Sequence, residues 1–185
     1  MVRISFVLMQ RNAYDLLQDY KNLETNIHNK SFVIVRNKSE VEQYLRHGIQ
    51  IRKKNLVVNF RYTLIFTITI ESIQISNNNI STSKSSHLSF VILANSQREF
   101  KVNHDILYWQ KMSNCSSTLS AIGNVLSSLS NKQLHVPYRD SLLTKFLYPN
   151  LLFPLAATLL IGCIEVNDYN ETMNTLRYFN SFYNY

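Results

Sequence analysis

The chain has 185 residues, 45% of them hydrophobic and 17% charged, which supplies one packed core and excludes a natively disordered chain. Its net charge of +7 favours an acidic partner, but the longest basic run is Arg52, Lys53 and Lys54, so charge alone does not choose among nucleic acid, anionic lipid and an acidic protein polymer. Cys115 and Cys163 form no CxxC or Cys/His ligand pattern, which disfavours zinc and suits a reducing compartment.

In chain order, Val2 to Met9 reads as a strand and Ala13 to Asp19 as a short helical turn, followed by polar loop over Lys21 to Lys30. Ser31 to Val35 suggests a short strand. Ser39 to His47 suggests a helix, with Ser39 and Glu42 as a capping box and Gly48 as its stop. Tyr62 to Ile70 is the clearest strand, with Leu64, Phe66, Ile68 and Ile70 on one face. Ser76 to Ser86 is turn-rich and reads as loop. His87 to Ala94 is apolar on both faces and is expected to be a central strand.

Gln97 to Ser113 has no clear pattern. Ser116 to Leu129 carries an amphipathic stripe of Leu119, Ile122, Val125, Leu126 and Leu129. Ser141 to Tyr148 is a shorter helix that Pro149 should stop. The longest apolar stretch, Leu151 to Ile164, is broken by Pro154 and falls short of the roughly 18 residues of a membrane helix, so Ala156 to Ile164 is expected to be a buried strand. Asp168 and Glu171 form a capping box for a last helix that turns Met173, Leu176 and Phe179 inward. Cys115 on a helix and Cys163 in a buried strand are expected to pack in the core. Strands alternating with helices indicate an α/β fold.

Four stretches, in order, resemble kinesin motor domains. His135 to Leu147 reads HVPYRDSLLTKFL where kinesins carry HVPYRDSKLTRLL. Leu119 to Leu129 (LSAIGNVLSSL) and Glu171 to Asn180 (ETMNTLRYFN) are similar to LSALGNVISAL and ETxSTLRYAN of the family, and Val2 to Leu17 (VRISFVLMQRNAYDLL) resembles VRVSFLEIYNEELFDLL with one residue fewer. The resemblance implies a kinesin-motor-like, P-loop-NTPase-related mixed sheet with helices on both faces. It implies a single incomplete domain over 1–185, corresponding to the C-terminal half of a motor.

The family's phosphate-binding loop, GxxxxGKT, has no counterpart in the chain. No GK[ST] occurs, and Gly48, Gly123 and Gly162 are too far apart to make one. At the first family switch, SSRSH, the chain reads Asn59 to Thr63 and keeps only Arg61. At the second, LVDLAGSE, it reads Phe90 to Gln97. Ile92 stands for the metal-shell aspartate, Asn95 for the glycine that contacts the γ-phosphate, and Gln97 for the glutamate that pairs with the first switch. Arg61, Asn95 and Ser96 are therefore degenerate nucleotide positions, and no bound ATP or Mg is expected although the family uses both.

By the same resemblance, the HVPYRDS turn faces the microtubule. His135, Tyr138, Arg139, Asp140 and Lys145 are the candidate contacts, with Lys132 beside them and Leu142 in place of a family lysine. Tyr138 and Asp140 have a second reading, bracing the turn by packing and capping. His135 has no nucleophile or carboxylate at triad-like spacing, so surface contact is preferred to catalysis. The expectation is a kinesin-like protein of the cytoplasmic cytoskeleton that grips microtubules, or another kinesin chain, without hydrolysing ATP. The alternatives are a portion of an active ATP-dependent motor and, on charge alone, a nucleic-acid binder, which lacks any recognition motif. No membrane association is expected.

Overall fold

The structure is a computed structural model that describes residues 1–9, 12–18, 21–24, 29–55, 62–75, 81–94, 120–152, 157–164, 167 and 169–183. It falls into two compact units, Met1–Ala94 and Asn95–Tyr185.

The first unit is built on β1 (Val2–Met9), whose alternating pattern buries Ile4, Phe6 and Leu8 on one face and Ser5, Val7 and Met9 on the other. One edge of β1 pairs along its whole length with β5 (Thr63–Ile75), antiparallel, from Val2↔Ile70 to Met9↔Thr63. The opposite edge is shared between two short strands. β2 (Ala13–Asp15) pairs with its end and β4 (Val33–Val35) with its beginning, and β3 (Lys21–Glu24) extends the sheet beyond β2. β6 (Ser81–Ile92) pairs with β5 and completes the six-stranded order β3-β2-β1-β5-β6, with β4 beside β1.

Helix α1 (Lys38–Asn55) covers one face. Val41, Tyr44, Leu45, Ile49 and Ile51 pack on a cluster of Ile4, Phe6, Leu8, Leu16, Val35, Leu64 and Phe66. Each such side chain fully buried contributes about 1.5–3 kcal/mol. Phe6 and Phe66 meet edge to face at 5.2 Å. The opposite face is rich in hydroxyls, with Thr63, Thr67 and Thr69 all buried. Thr67 Oγ1 bonds Ser89 Oγ at 3.1 Å and Thr69 Oγ1 bonds His87 Nδ1 at 3.0 Å, each to its cross-strand neighbour.

Several expectations are corrected here. Ala13 to Asp15 is a strand, because Asp15 faces Val7 in the ladder and its buried carboxylate accepts backbone N–H groups from Leu17 and Ser31. Lys21 to Glu24 is strand as well, recruited by β2. The α1 cap lies two residues earlier than expected. Asn37 Oδ1 accepts the Glu40 N–H, and Glu40 reaches back to the Arg36 N–H. The helix runs through Gly48, where the glycine makes room for the Phe6 ring and does not end the helix. β6 begins at Ser81, inside the expected loop, because the register with β5 continues to Ile75↔Ser81.

Among the described residues, the strand expected to be central lies at the end of the sheet order. β6 has one strand neighbour among the described residues, and Leu88, Phe90 and Ile92 are more than half exposed.

In the second unit, α2 covers 120–130 and buries Ala121, Ile122, Val125 and Leu126. α3 (Leu142–Leu152) continues past Pro149, which removes the one N–H aimed at the carbonyl of the exposed Lys145. α4 (Tyr169–Tyr183) places the Phe179 ring against Gly162, but Leu176 is about half exposed at 48%, not inward.

Residues 157–164 form no strand. Leu159, Ile161, Ile164 and Cys163 are exposed, because no described strand offers this segment a ladder. The readings for Gln97 to Ser113, Cys115 and Asp168 lie outside the described residues.

Candidate functional site

The candidate contact residues gather on one short stretch of the second unit, the turn between α2 and α3 and the first turn of α3. α2 ends in a Schellman closure. Gln133 N–H donates to Ser128 O at 2.9 Å and Lys132 N–H to Leu129 O at 3.0 Å, and Lys132 takes the left-handed position with φ 50°. That arrangement turns the chain outward, so Leu134 and His135 are exposed.

Two tight backbone bonds then fold the turn, from Tyr138 N–H to Val136 O at 2.8 Å and from Asp140 N–H to Pro137 O at 3.4 Å. Ser141 caps α3. Its Oγ accepts the Thr144 N–H at 3.0 Å, and Thr144 Oγ1 accepts the Ser141 N–H at 3.1 Å, so Thr144 takes the role a glutamate plays in the usual capping box. Leu142, Leu143 and Thr144 are buried and anchor the helix start, which leaves Lys145 to project outward.

Tyr138 is the structural pivot of the turn. Its ring stacks on Tyr148 of α3 with centroids 3.8 Å apart and planes 18° apart. The Arg139 guanidinium carbon also lies 5.4 Å from the Tyr138 ring centroid, and Arg139 Nε donates to Tyr138 Oη at 3.2 Å. The bracing reading of Tyr138 thus has a geometry. Capping falls to Ser141, with Asp140 exposed beside it.

His135, Arg139, Asp140 and Lys145 are all exposed, so the turn presents three cationic or titratable basic groups and one carboxylate to solvent. Such a surface can contact an acidic polymer, whereas a hydrolytic reaction would need a positioned nucleophile beside His135. Tyr148 and Thr144 were not foreseen as parts of the site. The aromatic one residue before Pro149 and the S-x-x-T spacing were the available signals.

Arg61, Asn95 and Ser96 lie outside the described residues. Their described neighbours are Tyr62 and Ala94. The Ala94 N–H donates to Thr63 Oγ1 at 3.3 Å, two residues beyond the Leu64↔Ile92 pair, which fastens the inner end of the β5–β6 hairpin. Among the described residues no group of His, Cys, Asp or Glu could hold a metal ion, and no helix is long and apolar enough to cross a membrane.

The family model for the kinesin motor domain matches residues 5–184. The chain is 36% identical over 140 residues to the kinesin-like protein Klp68D of Drosophila melanogaster, covering 70% of the chain and 17% of that protein. It is 32% identical to the kinesin-like protein klp-20 of Caenorhabditis elegans, covering 97% of the chain and 30% of the relative. Among solved structures, a fast kinesin aligns with TM-score 0.64 at 27% identity, over 80% of the chain and 45% of its own length. The motor and motor homology domain of Kar3Vik1 aligns with TM-score 0.75 at 23% identity, over 98% and 51%. The chain therefore spans less than a third of these curated relatives and about half of the solved motors. A sheet and helices that follow the motor fold, an HVPYRDS turn that opens a capped helix, and a family match over nearly every residue have one common explanation: the chain belongs to the kinesin motor domain family.

Proposed function

We propose that this kinesin-family chain binds microtubules through the 135–145 turn and does so without hydrolysing ATP. The observation that carries this reading is the exposed, braced display of His135, Arg139 and Lys145 on a single turn. Tubulin is acidic, and a cationic surface held rigid by the Tyr138–Tyr148 stack loses little entropy on contact. The non-catalytic half of the reading rests on the sequence. Ile92, Asn95 and Gln97 replace the groups that would hold metal and γ-phosphate, and the 185 residues contain no GK[ST]. On this reading the protein works on the cytoplasmic cytoskeleton, alone or beside another kinesin chain.

Cosedimentation with polymerised tubulin at low salt tests it. Binding is expected to be the same with ATP, with ADP and without nucleotide, and to weaken as salt rises. Failure to pellet at low salt would end the proposal.

A second reading has its own observation. The solved motors that align with the chain are about twice as long as the matched part, so the sequence can be a portion of an ATP-dependent motor. Tubulin-stimulated phosphate release by the 185-residue chain would favour that reading.

A further inference from the structure

The Arg139 guanidinium is held at one edge. Its Nε–H donates to Tyr138 Oη at 3.2 Å, and its central carbon lies 5.4 Å from the Tyr138 ring centroid. Tyr138 is itself supported. Its ring stacks on Tyr148 with centroids 3.8 Å apart, and Tyr148 belongs to α3, a helix anchored at its start by the buried Leu142, Leu143 and Thr144. Contacts therefore run from a packed helix, through two rings, to the Nε edge of an exposed arginine. A guanidinium carries N–H donors on Nε and on both terminal nitrogens. The tyrosine hydroxyl uses the Nε donor, which leaves those on Nη1 and Nη2 to a ligand.

We propose that Tyr138 is a positioning residue, fixing Arg139 by its Nε edge so that Nη1 and Nη2 take a carboxylate of the partner end-on through two parallel N–H···O bonds. This role rests on the 135–145 turn being the contact with an acidic polymer, and it names the group on that polymer that is recognised. A guanidinium meets a carboxylate either by Nε and one Nη or by both Nη groups. The Tyr138 hydroxyl occupies the first edge, so the second remains. An unsupported arginine has to order its side chain on contact. Arg139 has part of that ordering in place, and less entropy is lost on binding. Lysine cannot substitute, because its ammonium is a point charge without a planar fork. His135 and Lys145 add charge to the same surface but no such fork. Removing the hydroxyl should therefore change affinity without changing how many charges are engaged.

Cosedimentation of the 185-residue chain with polymerised tubulin, arranged as a double-mutant cycle, tests this role. Tyr138→Phe keeps the ring and every charge. It is expected to weaken binding about threefold to tenfold, with the salt slope and the melting temperature unchanged. Arg139→Lys should lose about as much although it keeps the charge. In an Arg139→Ala background, Tyr138→Phe should cost nothing more. Wild-type affinity in Tyr138→Phe, or an equal loss with and without Arg139, would overturn the proposal. Two nuclear magnetic resonance readouts need no tubulin. The Arg139 Nε–H signal, identified by its absence in Arg139→Lys, should exchange with water several-fold faster in Tyr138→Phe. On titration with poly-L-glutamate, the Arg139 signals should move further in the wild type than in Tyr138→Phe at the same concentration. Equal exchange or equal movement in the two proteins would likewise overturn it. A wild-type chain that fails to pellet with tubulin but shows both differences would end the microtubule reading and leave the carboxylate clamp standing.

Discussion

Gly48 lies in the middle of α1 with the Phe6 ring occupying the space where its Cβ would be. The contact explains a helix that continues through a glycine. The backbone of α1 must come close to β1, and the absent side chain permits it. Gly48→Ala should destabilise the first unit by about 1–3 kcal/mol through overpacking, net of a helix-propensity gain of about 1 kcal/mol. Urea denaturation would show it. Phe6→Leu in the same chain should recover part of the loss, since the two sites share one cavity.

Lys132 holds a left-handed φ of 50° at the closure of α2, a position that favours glycine. Lys132→Gly should stabilise the chain by about 1 kcal/mol, measured as a raised denaturation midpoint. Lys132 lies beside the proposed contact turn, so the same variant also tests whether this ammonium touches tubulin. Unchanged cosedimentation would assign the contact to residues further along.

Lys30 carries a pH signature. Burial lowers its amine pKa below the ordinary 10.5, and the nearby Asp15 carboxylate offsets only part of that effect. The unfolded chain keeps the proton up to its ordinary value while the folded chain releases it earlier. Between the lowered value and 10.5 the unfolded state binds more protons, so stability rises with pH in that window. Lys30→Met should remove this alkaline rise. Asp15 keeps the backbone N–H groups of Leu17 and Ser31 as partners in the variant. Denaturation midpoints taken across the alkaline range for both proteins would reveal the difference in slope.

Arg139→Glu with Lys145→Glu reverses the charge of the proposed contact turn. Tubulin affinity should fall by about tenfold or more, with a flatter salt dependence. Lys38→Glu, in the first unit, should leave binding unaltered. Tyr148→Ala should weaken binding less than the double reversal while lowering stability, because it removes the support of Tyr138 and no charge.

Strands β1 and β5 were readable because apolar residues alternate along each of them and their own side chains specify the buried face. β2 was not. Ala13 to Asp19 reads as a short helical turn, and the strand state of Ala13–Asp15 comes from pairing with Val7 to Met9. The early start of β6 was hidden for a similar reason. STSKSS is turn-like in composition, and only the long β5 ladder draws it into register. Whether an apolar strand is central or at an edge depends on neighbours the strand does not encode, so Leu88, Phe90 and Ile92 looked buried and are not. The same holds for Leu159 and Ile161, apolar residues without a ladder. In the site, the HVPYRDS run marked the turn on which the candidate contacts gather. The Tyr138–Tyr148 stack stayed invisible because it depends on how α3 leaves the turn.

Among the described residues, the base of the β5–β6 hairpin is fastened by the buried bond from the Ala94 N–H to Thr63 Oγ1, while towards its far end Thr82 Oγ1 reaches Gln74 O only at 3.5 Å and in solvent. Residues 82–88 are solvent-exposed along β6. Amide deuteration should therefore advance like a zip opening from its free pull, quick near Ile75 and Ser81 and slow near Leu64 and Ile92, and the last protons to go would be those next to Ala94.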